Sequence, residues 1–165
     1  MPKFLAQIVI AVMATVFSAG AMSASYIYAD TTDFSSSIAI DTTTREGAIG
    51  DRGASVELCA ANESFRCFEL EGMVFAIPKS FDNRSLRSSW EFRDRKFSAS
   101  KAHGVKILGK SYDAYFIDST SQTAPIRFLY SPQSGLIAIK GLGPQQDRVF
   151  MLQSACGFAS SHRCK

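Results

Sequence analysis

The sequence predicts an all-β protein, a single antiparallel β-sandwich or small β-barrel of about eight strands that two disulfides staple. Apolar and polar residues alternate in short segments, and turn-forming residues separate these segments. No window of about 11 residues or more after residue 21 favours the period of a helix, which argues against a parallel α/β sheet. Four cysteines lie in two pairs of equal spacing, as in a small disulfide-bonded domain.

The amino-terminal part of the domain, residues 22–53, carries Ser, Thr and Asp among short apolar patches. We interpret it as a loosely ordered N-terminal arm or an edge strand. The glycines in residues 47–53 indicate a loop. After this loop Val56 and Leu58 alternate with polar residues, which predicts a strand.

Residues 65–77 are predicted to form one long strand. Residues 68–71 alternate in polarity, and residues 73–77 are a continuous apolar run that ends at Pro78. Because Gly72 interrupts the two halves, we interpret it as a β-bulge where the strand passes from a half-exposed edge into the core.

The remaining strands follow the same two-residue period. Asp94 and Arg95 mark the turn of a predicted hairpin, since apolar residues alternate on both sides of them. Residues 131–135 favour a second turn, with Pro at the first corner and Gly at a positive-φ exit. The segments that supply these strands are 90–99, 105–116, 126–130, 136–139 and 149–152.

The apolar phase of each strand predicts the core of the protein. Nine large side chains are expected to be mostly buried: Phe68, Leu70, Phe75, Trp90, Phe92, Phe116, Phe128, Tyr130 and Phe150.

The first 21 residues have the layout of a cleaved secretory signal peptide. Lys3 is followed by the uncharged apolar run 8–17 and by small side chains in residues 19–21. A membrane anchor is the alternative, but an apolar run of this length covers only about 15 Å of helix. We therefore expect residues 1–21 to be removed and residues 22–165 to form one domain, exported to the bacterial periplasm or beyond. No lipid-anchor cysteine lies near the cleavage point.

The four cysteines are Cys59, Cys67, Cys156 and Cys164, and an even number in an exported chain indicates disulfides. Each of the pairs Cys59–Cys67 and Cys156–Cys164 encloses seven residues that are small and polar enough to turn back. We predict these two local bridges, with crossed pairings as the alternative. The spacing does not match a zinc site, so no metal is predicted.

Charge is segregated along the chain, although the net charge is only +3 and argues against a nucleic-acid binder. Residues 22–78 hold three Lys or Arg against nine Asp or Glu, whereas residues 79–110 hold nine against three. The two stretches are expected either to pair across neighbouring strands or to leave a basic surface for an acidic protein or an anionic envelope component. The arginines predicted for that surface are Arg84, Arg87, Arg93 and Arg95.

Catalytic patterns are scarce. The chain has two histidines, His103 and His162, and we interpret both as polar loop residues. No G-x-S-x-G or H-E-x-x-H motif is present, no cofactor is predicted, and bridged cysteines would not serve as nucleophiles. One acid–base group of the ribonuclease kind is conceivable, formed by Glu91, Arg93 and His103.

The sequence therefore favours a non-enzymatic binding protein, an inhibitor or immunity-type module that acts on a protein or envelope partner. The alternatives are a small secreted hydrolase and a structural or assembly protein. Residues 127–141 resemble the strand–turn–strand of bacterial lysozyme-inhibitor barrels. The likeness is confined to one ordinary hairpin, and we assign no family from it.

Overall fold

The computed structural model describes residues 24–81, 87–120, 125–141 and 148–161. These residues contain fifteen β-strands and no helix, so none of their segments is a helix that could cross a membrane. The strands are β1 (Ser25–Asp30), β2 (Ser37–Asp41), β3 (Glu46–Ile49), β4 (Arg52–Ser55), β5 (Glu57–Leu58), β6 (Phe65–Leu70), β7 (Met73–Pro78), β8 (Arg87–Phe92), β9 (Arg95–Ala102), β10 (Lys106–Ile107), β11 (Lys110–Ser111), β12 (Ala114–Thr120), β13 (Ile126–Ser131), β14 (Gly135–Gly141) and β15 (Val149–Leu152).

Ten of these strands form one antiparallel sheet in the order β4-β3-β2-β1-β15-β14-β13-β12-β9-β8. The pairing of β1 with β15 joins the two ends of the described chain in the middle of this sheet. The predicted all-β, antiparallel class is confirmed. The described strands do not close into a barrel, because β4 and β8 lie at opposite edges of the sheet.

A second sheet, in the order β5-β6-β7, packs on the inner face of the large sheet. Both edges of the large sheet contact it. Near β4, the backbone of Gly47 lies against the side chains of Val56 and Leu70. Near β8, the indole N–H of Trp90 donates a 3.1 Å hydrogen bond to the carbonyl of Ala76. The large sheet therefore curls around the small one and encloses the core with it.

The prediction of one long strand through residues 65–77 is wrong. Glu71 and Gly72 form a two-residue turn, and β6 and β7 pair as a hairpin with Leu70 opposite Met73. The φ angles of the two turn residues are 49° and 73°. A two-residue hairpin of this kind requires positive φ at both positions, and glycine adopts it without strain. A glycine signals both a β-bulge and a tight turn, so the sequence pattern did not distinguish them. In the structure the chain reverses at Gly72.

The core lies between the two sheets and is largely aromatic. The ring of Phe75 contacts Phe128 at 5.1 Å and Phe158 at 6.0 Å between centroids. Six of the nine predicted core residues are buried, and Trp90 and Phe150 are partly buried and pack against the core. The six buried residues are Phe68, Leu70, Phe75, Phe92, Phe128 and Tyr130.

The prediction for Phe116 is wrong, because this side chain is 36% exposed on the outer face of β12. Tyr115 and Ile117 point into the protein instead. The alternation of apolar residues that begins at 105–107 does not keep its phase in β12, because the chain reverses in the β10–β11 hairpin before β12 begins. On the outer face the Arg127 guanidinium lies 5.3 Å from the Phe116 ring.

Residues 22–53 are the segment for which the sequence predicts an arm or an edge strand, and their described part, from residue 24, forms β1 to β3 and the start of β4. Of these, β4 is an edge strand, whereas β1 lies between β2 and β15. Tyr28 of β1 is completely buried, and its hydroxyl donates to the carbonyl of Leu136. The strand therefore helps to form the core. Residues 1–23, which include the predicted signal peptide, lie outside the described residues.

One end of the curled sheet is filled by residues 156–161, which we call the plug. Two backbone hydrogen bonds join the plug to the β13–β14 hairpin. The N–H of Leu136 donates to the carbonyl of Phe158 at 2.8 Å, and the N–H of Gly157 donates to the carbonyl of Ser134 at 2.7 Å. Phe158 inserts its ring edge-on against Phe68 at 5.2 Å. We refer to this end as the plugged end.

The disulfide Cys59–Cys67 is confirmed, and it closes the loop between β5 and β6. It is one bridge of the two that the sequence predicts. Cys164 lies outside the described residues, so the bridge Cys156–Cys164 stays a prediction. No described cysteine is a free thiol.

Candidate functional site

Arg93 and Arg95, two of the four arginines predicted for a basic surface, contact the small sheet. Arg93 is the first turn residue between β8 and β9, and its Nη1 lies 2.5 Å from Glu69 and 3.4 Å from Glu57. Arg95 donates to the carbonyl of Gly72 at 2.7 Å. These contacts join an edge hairpin of the large sheet to the β6–β7 hairpin, as the charge-pairing alternative expects.

Other basic residues between 79 and 101 also have partners within the chain. Lys101 pairs with Asp113, and this hydrogen bond raises the pKa of Lys101, so the ammonium stays charged. Lys79 donates to the carbonyl of Ala61 at 2.7 Å. Arg84 and the side chain of Arg87 lie outside the described residues. Whether these two arginines contact a partner stays a prediction.

The structure does not bring the predicted acid–base group together. Glu91 pairs with Lys96 across the β8–β9 hairpin at 3.7 Å, and Arg93 occupies the turn of that hairpin. His103 is exposed and follows the other end of β9. Because an eight-residue strand spans about 25 Å, His103 is too far from the other two residues to share a substrate. His162 lies outside the described residues.

One cluster of metal-ligating residue types occurs among the described residues, formed by Cys59, Glu63 and Cys67. Both sulfur atoms are in the disulfide, so they offer no thiolate to a metal. The carboxylate of Glu63 accepts a 3.0 Å hydrogen bond from the backbone N–H of Ala60. The cluster is therefore a turn that the disulfide and this hydrogen bond hold closed.

The most exposed apolar side chain in the described part of the protein is Leu108, at the tip of the hairpin formed by β10 and β11. Its relative exposure is 103%. Leu108 and Gly109 form a two-residue turn with φ angles of 49° and 78°, and Ile107 pairs with Lys110 beside it. Asparagine, aspartate and glycine favour such turns. A leucine in left-handed backbone conformation costs on the order of 1 kcal/mol, so local stability does not explain this residue.

Two lysines flank the exposed leucine. Lys106 and Lys110 are both exposed, and neither forms an ion pair with any acidic side chain that the structure describes. The ammonium of Lys110 lies 5.3 Å from the ring of Tyr112. The tip thus presents an apolar side chain between two positive charges.

A groove of about 340 Å³ runs between this hairpin and the large sheet. Ile107 and Tyr112 line one side of it, and Ile137 and Met151 line the other. The hairpin therefore stands away from the sheet and offers both a tip and an apolar flank. The predicted strand segment 105–116 does not contain this hairpin, although Gly109 directly after an apolar residue is a turn signal for it.

Comparison of the chain with models of protein families, with curated protein sequences and with solved structures gives no match. The disulfide is compatible with an extracellular or periplasmic location.

Proposed function

We propose that this is an exported, periplasmic binding protein of the inhibitor or immunity type, and that the β10–β11 hairpin contacts its partner. The observation that carries the proposal is Leu108, a fully exposed leucine held at positive φ on a two-residue turn. A residue that is unfavourable for its own turn is expected where another molecule buries it. A few residues in well-packed pockets near the centre of a protein interface carry most of its binding energy.

The charges around the anchor indicate the chemistry of the partner. Lys106 and Lys110 would face acidic residues around an apolar pocket, because complementary charge steers association. The backbone of Arg87, which pairs with Ser100, lies at the same end of the large sheet as this hairpin. From the segregated charge of the sequence, Arg84 and Arg87 are proposed as further contacts to the acidic partner. Arg93 and Arg95 lie at the opposite end of β8 and β9 and mainly join the two sheets.

The proposed export rests on the apolar leader in residues 1–21 and on the disulfide. A binding role is favoured over the hydrolase alternative because the nameable acid–base residues are dispersed. We propose that Cys156 and Cys164 form the second disulfide, which would tether the plug to the end of the chain.

The substitution Leu108→Asn tests the proposal. Asparagine before glycine favours this turn, so the melting temperature should stay the same or rise slightly. Capture of an acidic partner from a periplasmic extract at low salt should fall at least tenfold, because the anchor is lost. The bound protein is identified by mass spectrometry, and its affinity for the wild type and the variant is then measured with the purified pair.

The matched control is Phe34→Asn, which removes another exposed apolar side chain, 79% exposed on the connection between β1 and β2. It should leave capture unchanged. The double substitution Arg84→Glu with Arg87→Glu should slow association and leave the melting temperature nearly unchanged. Equal capture by the wild type and a folded Leu108→Asn variant would disprove the role of the hairpin.

A further inference from the structure

The groove beside the β10–β11 hairpin has one charged residue in its described lining, Lys110. Ile107 and Lys110 lie opposite each other on the hairpin, and both line the groove. The neighbouring pair, Lys106 and Ser111, does not line it. Because neighbouring pairs of a two-stranded ribbon point to opposite faces, the hairpin turns Lys110 towards the large sheet and Lys106 away from it.

The walls of this groove are apolar, and its charge is not balanced by the described acids. Ile107 and Tyr112 face Ile137 and Met151 across the groove. Lys110 is exposed and forms no ion pair with any acidic side chain that the structure describes. The volume of about 340 Å³ is near the lower end of the range for small-ligand pockets, so the groove takes side chains and not a folded element. A fitting occupant has an apolar side chain next to a carboxylate.

The groove is continuous with an apolar row on the outer face of the large sheet. Phe116 lies opposite Leu129, and Leu129 lies opposite Ala138. Ala138 in turn lies opposite Met151, which also lines the groove. Residues directly opposite one another share a face, so all four lie on the outer face with Phe116. The row crosses four adjacent strands, about 14 Å, and is too long for one small ligand to cover from the groove.

An ion pair within the chain flanks the row. Arg127 donates to the carboxylate of Asp118 through two hydrogen bonds, 2.6 and 2.9 Å long. These two charges therefore balance each other, whereas Lys110 is left to attract an acid of another molecule.

We propose that the groove and the apolar row together bind an extended segment of the partner's chain. An aliphatic side chain of that segment enters the groove, the neighbouring carboxylate faces Lys110, and further apolar side chains lie along the row. This inference rests on the proposed binding function and specifies the partner's contribution, a short acidic segment in which apolar residues alternate with acids.

The test uses three small probes with the full-length folded protein at low ionic strength. One is a capped pentapeptide that alternates leucine with aspartate, the second alternates leucine with lysine, and the third is N-acetylleucine. A pentapeptide extends over about 16 Å, which matches the row. Binding is measured by NMR titration of side-chain methyl groups.

The acidic pentapeptide should shift the methyl groups of Ile107, Ile137 and Met151 in the groove and of Leu129 in the row. It should bind about fivefold more tightly than the lysine peptide, because of its charge. It should bind at least tenfold more tightly than N-acetylleucine, because two further leucines cover the row. No shift at these methyl groups, equal affinity for the two peptides, or equally tight binding of N-acetylleucine would overturn the proposal.

Two charge reversals on the same hairpin form a matched pair. Lys110→Glu should reverse the preference, so that the lysine peptide binds more tightly than the acidic one. Lys106→Glu makes the same change on the opposite face of the hairpin and should keep the acidic peptide preferred. Both lysines are exposed, so both variants should keep the melting temperature of the wild type. A Lys110→Glu variant that still prefers the acidic peptide would disprove the role of this lysine.

Capture of the partner separates this inference from the proposed function. If Leu108→Asn loses the partner while Lys110→Glu retains it and no peptide binds, the tip contacts the partner and the inference about the segment is wrong. If the peptides bind as expected but Leu108→Asn captures the partner as well as the wild type does, the inference stands and the role of the tip is wrong.

Discussion

The two ends of the curled sheet differ in how they treat the core between the sheets. At the plugged end, Phe158 fills the space and the backbone of residues 156–161 hydrogen-bonds to the β13–β14 turn. At the opposite end, which we call the cavity end, Ile126 and Phe150 border an open space of about 340 Å³ between the sheets. The same strands form both ends.

Strand pairing alone therefore does not complete this core. A curled sheet leaves both ends of its interior to be filled by something other than strands. The plug does so at one end with an aromatic ring and backbone hydrogen bonds, which serve stability. At the other end, Asp30 holds the turn after β1 through hydrogen bonds from Thr32 and Asp33, and no described side chain fills the space that Ile126 and Phe150 border.

Replacing Phe158 with alanine should produce the largest effect, a loss of about 3–5 kcal/mol in the free energy of unfolding. The ring is 9% exposed and contacts Phe68, Phe75 and Tyr26, so its removal leaves a hole in a packed core. Denaturant unfolding at constant pH measures the loss. Phe150→Ala at the cavity end should lose less than half as much, because Phe150 already borders a cavity. Equal losses would mean that the two ends are packed alike.

The substitution Gly157→Ala should destabilise the plug by about 1–3 kcal/mol. A Cβ atom at this position would overlap the backbone carbonyl of Leu136, which cannot move without breaking the β13–β14 hairpin. The melting temperature and the hydrogen exchange of residues 156–161 report the change. Gly53→Ala, on an edge strand with open space around it, is the control and should have almost no effect. An unchanged melting temperature in Gly157→Ala would show that the close packing of the plug is not needed.

At the cavity end, the smallest effect concerns pH. Hydrogen bonds from Thr32 lower the pKa of Asp30 below its ordinary value of 3.8, so the folded protein binds this proton less tightly than the unfolded chain. The stability that Asp30 contributes is therefore present above pH 3.8 and is lost as the pH falls through the lower, folded-state pKa.

Melting curves of the wild type and Asp30→Asn, recorded from about pH 5 down to about pH 2, measure this contribution. The melting temperature of the wild type should exceed that of the variant at the higher pH, and the difference should shrink as the pH falls. A difference that is constant over this range would contradict the role of the ionised carboxylate.

Local patterns predict much of the fold. Period-two alternation in residues 126–130 correctly predicts β13 and the burial of Phe128 and Tyr130, since each side chain's face follows from its neighbour. The disulfide Cys59–Cys67 is also predicted from a local pattern, because the two cysteines lie close together in the sequence. The positive-φ requirement at Gly72 is also local, but whether the chain bulges or reverses there depends on the partner of the next strand.

The candidate site and the long-range contacts are less visible in the sequence. Leu108 stands among residues of ordinary strand composition, and its exposure depends on a hairpin that leaves the sheet. Asp30 and Arg148 are far apart in the chain and meet because β1 and β15 pair. The number of basic residues in 79–110 predicts a basic surface, yet Arg93 has its partners on the other sheet.

Sequence alone predicts the β class, the positions of β5, β8, β9, β13, β14 and β15, one disulfide and the inward phase of most large apolar residues. These properties depend on residues within a few positions of one another, where backbone geometry leaves few choices. The tertiary structure decides that β1 joins β15, that Phe158 closes one end and that an acid is buried at the other. Such contacts join residues that are far apart in the chain, and their stability depends on how whole sheets pack, which no local pattern encodes.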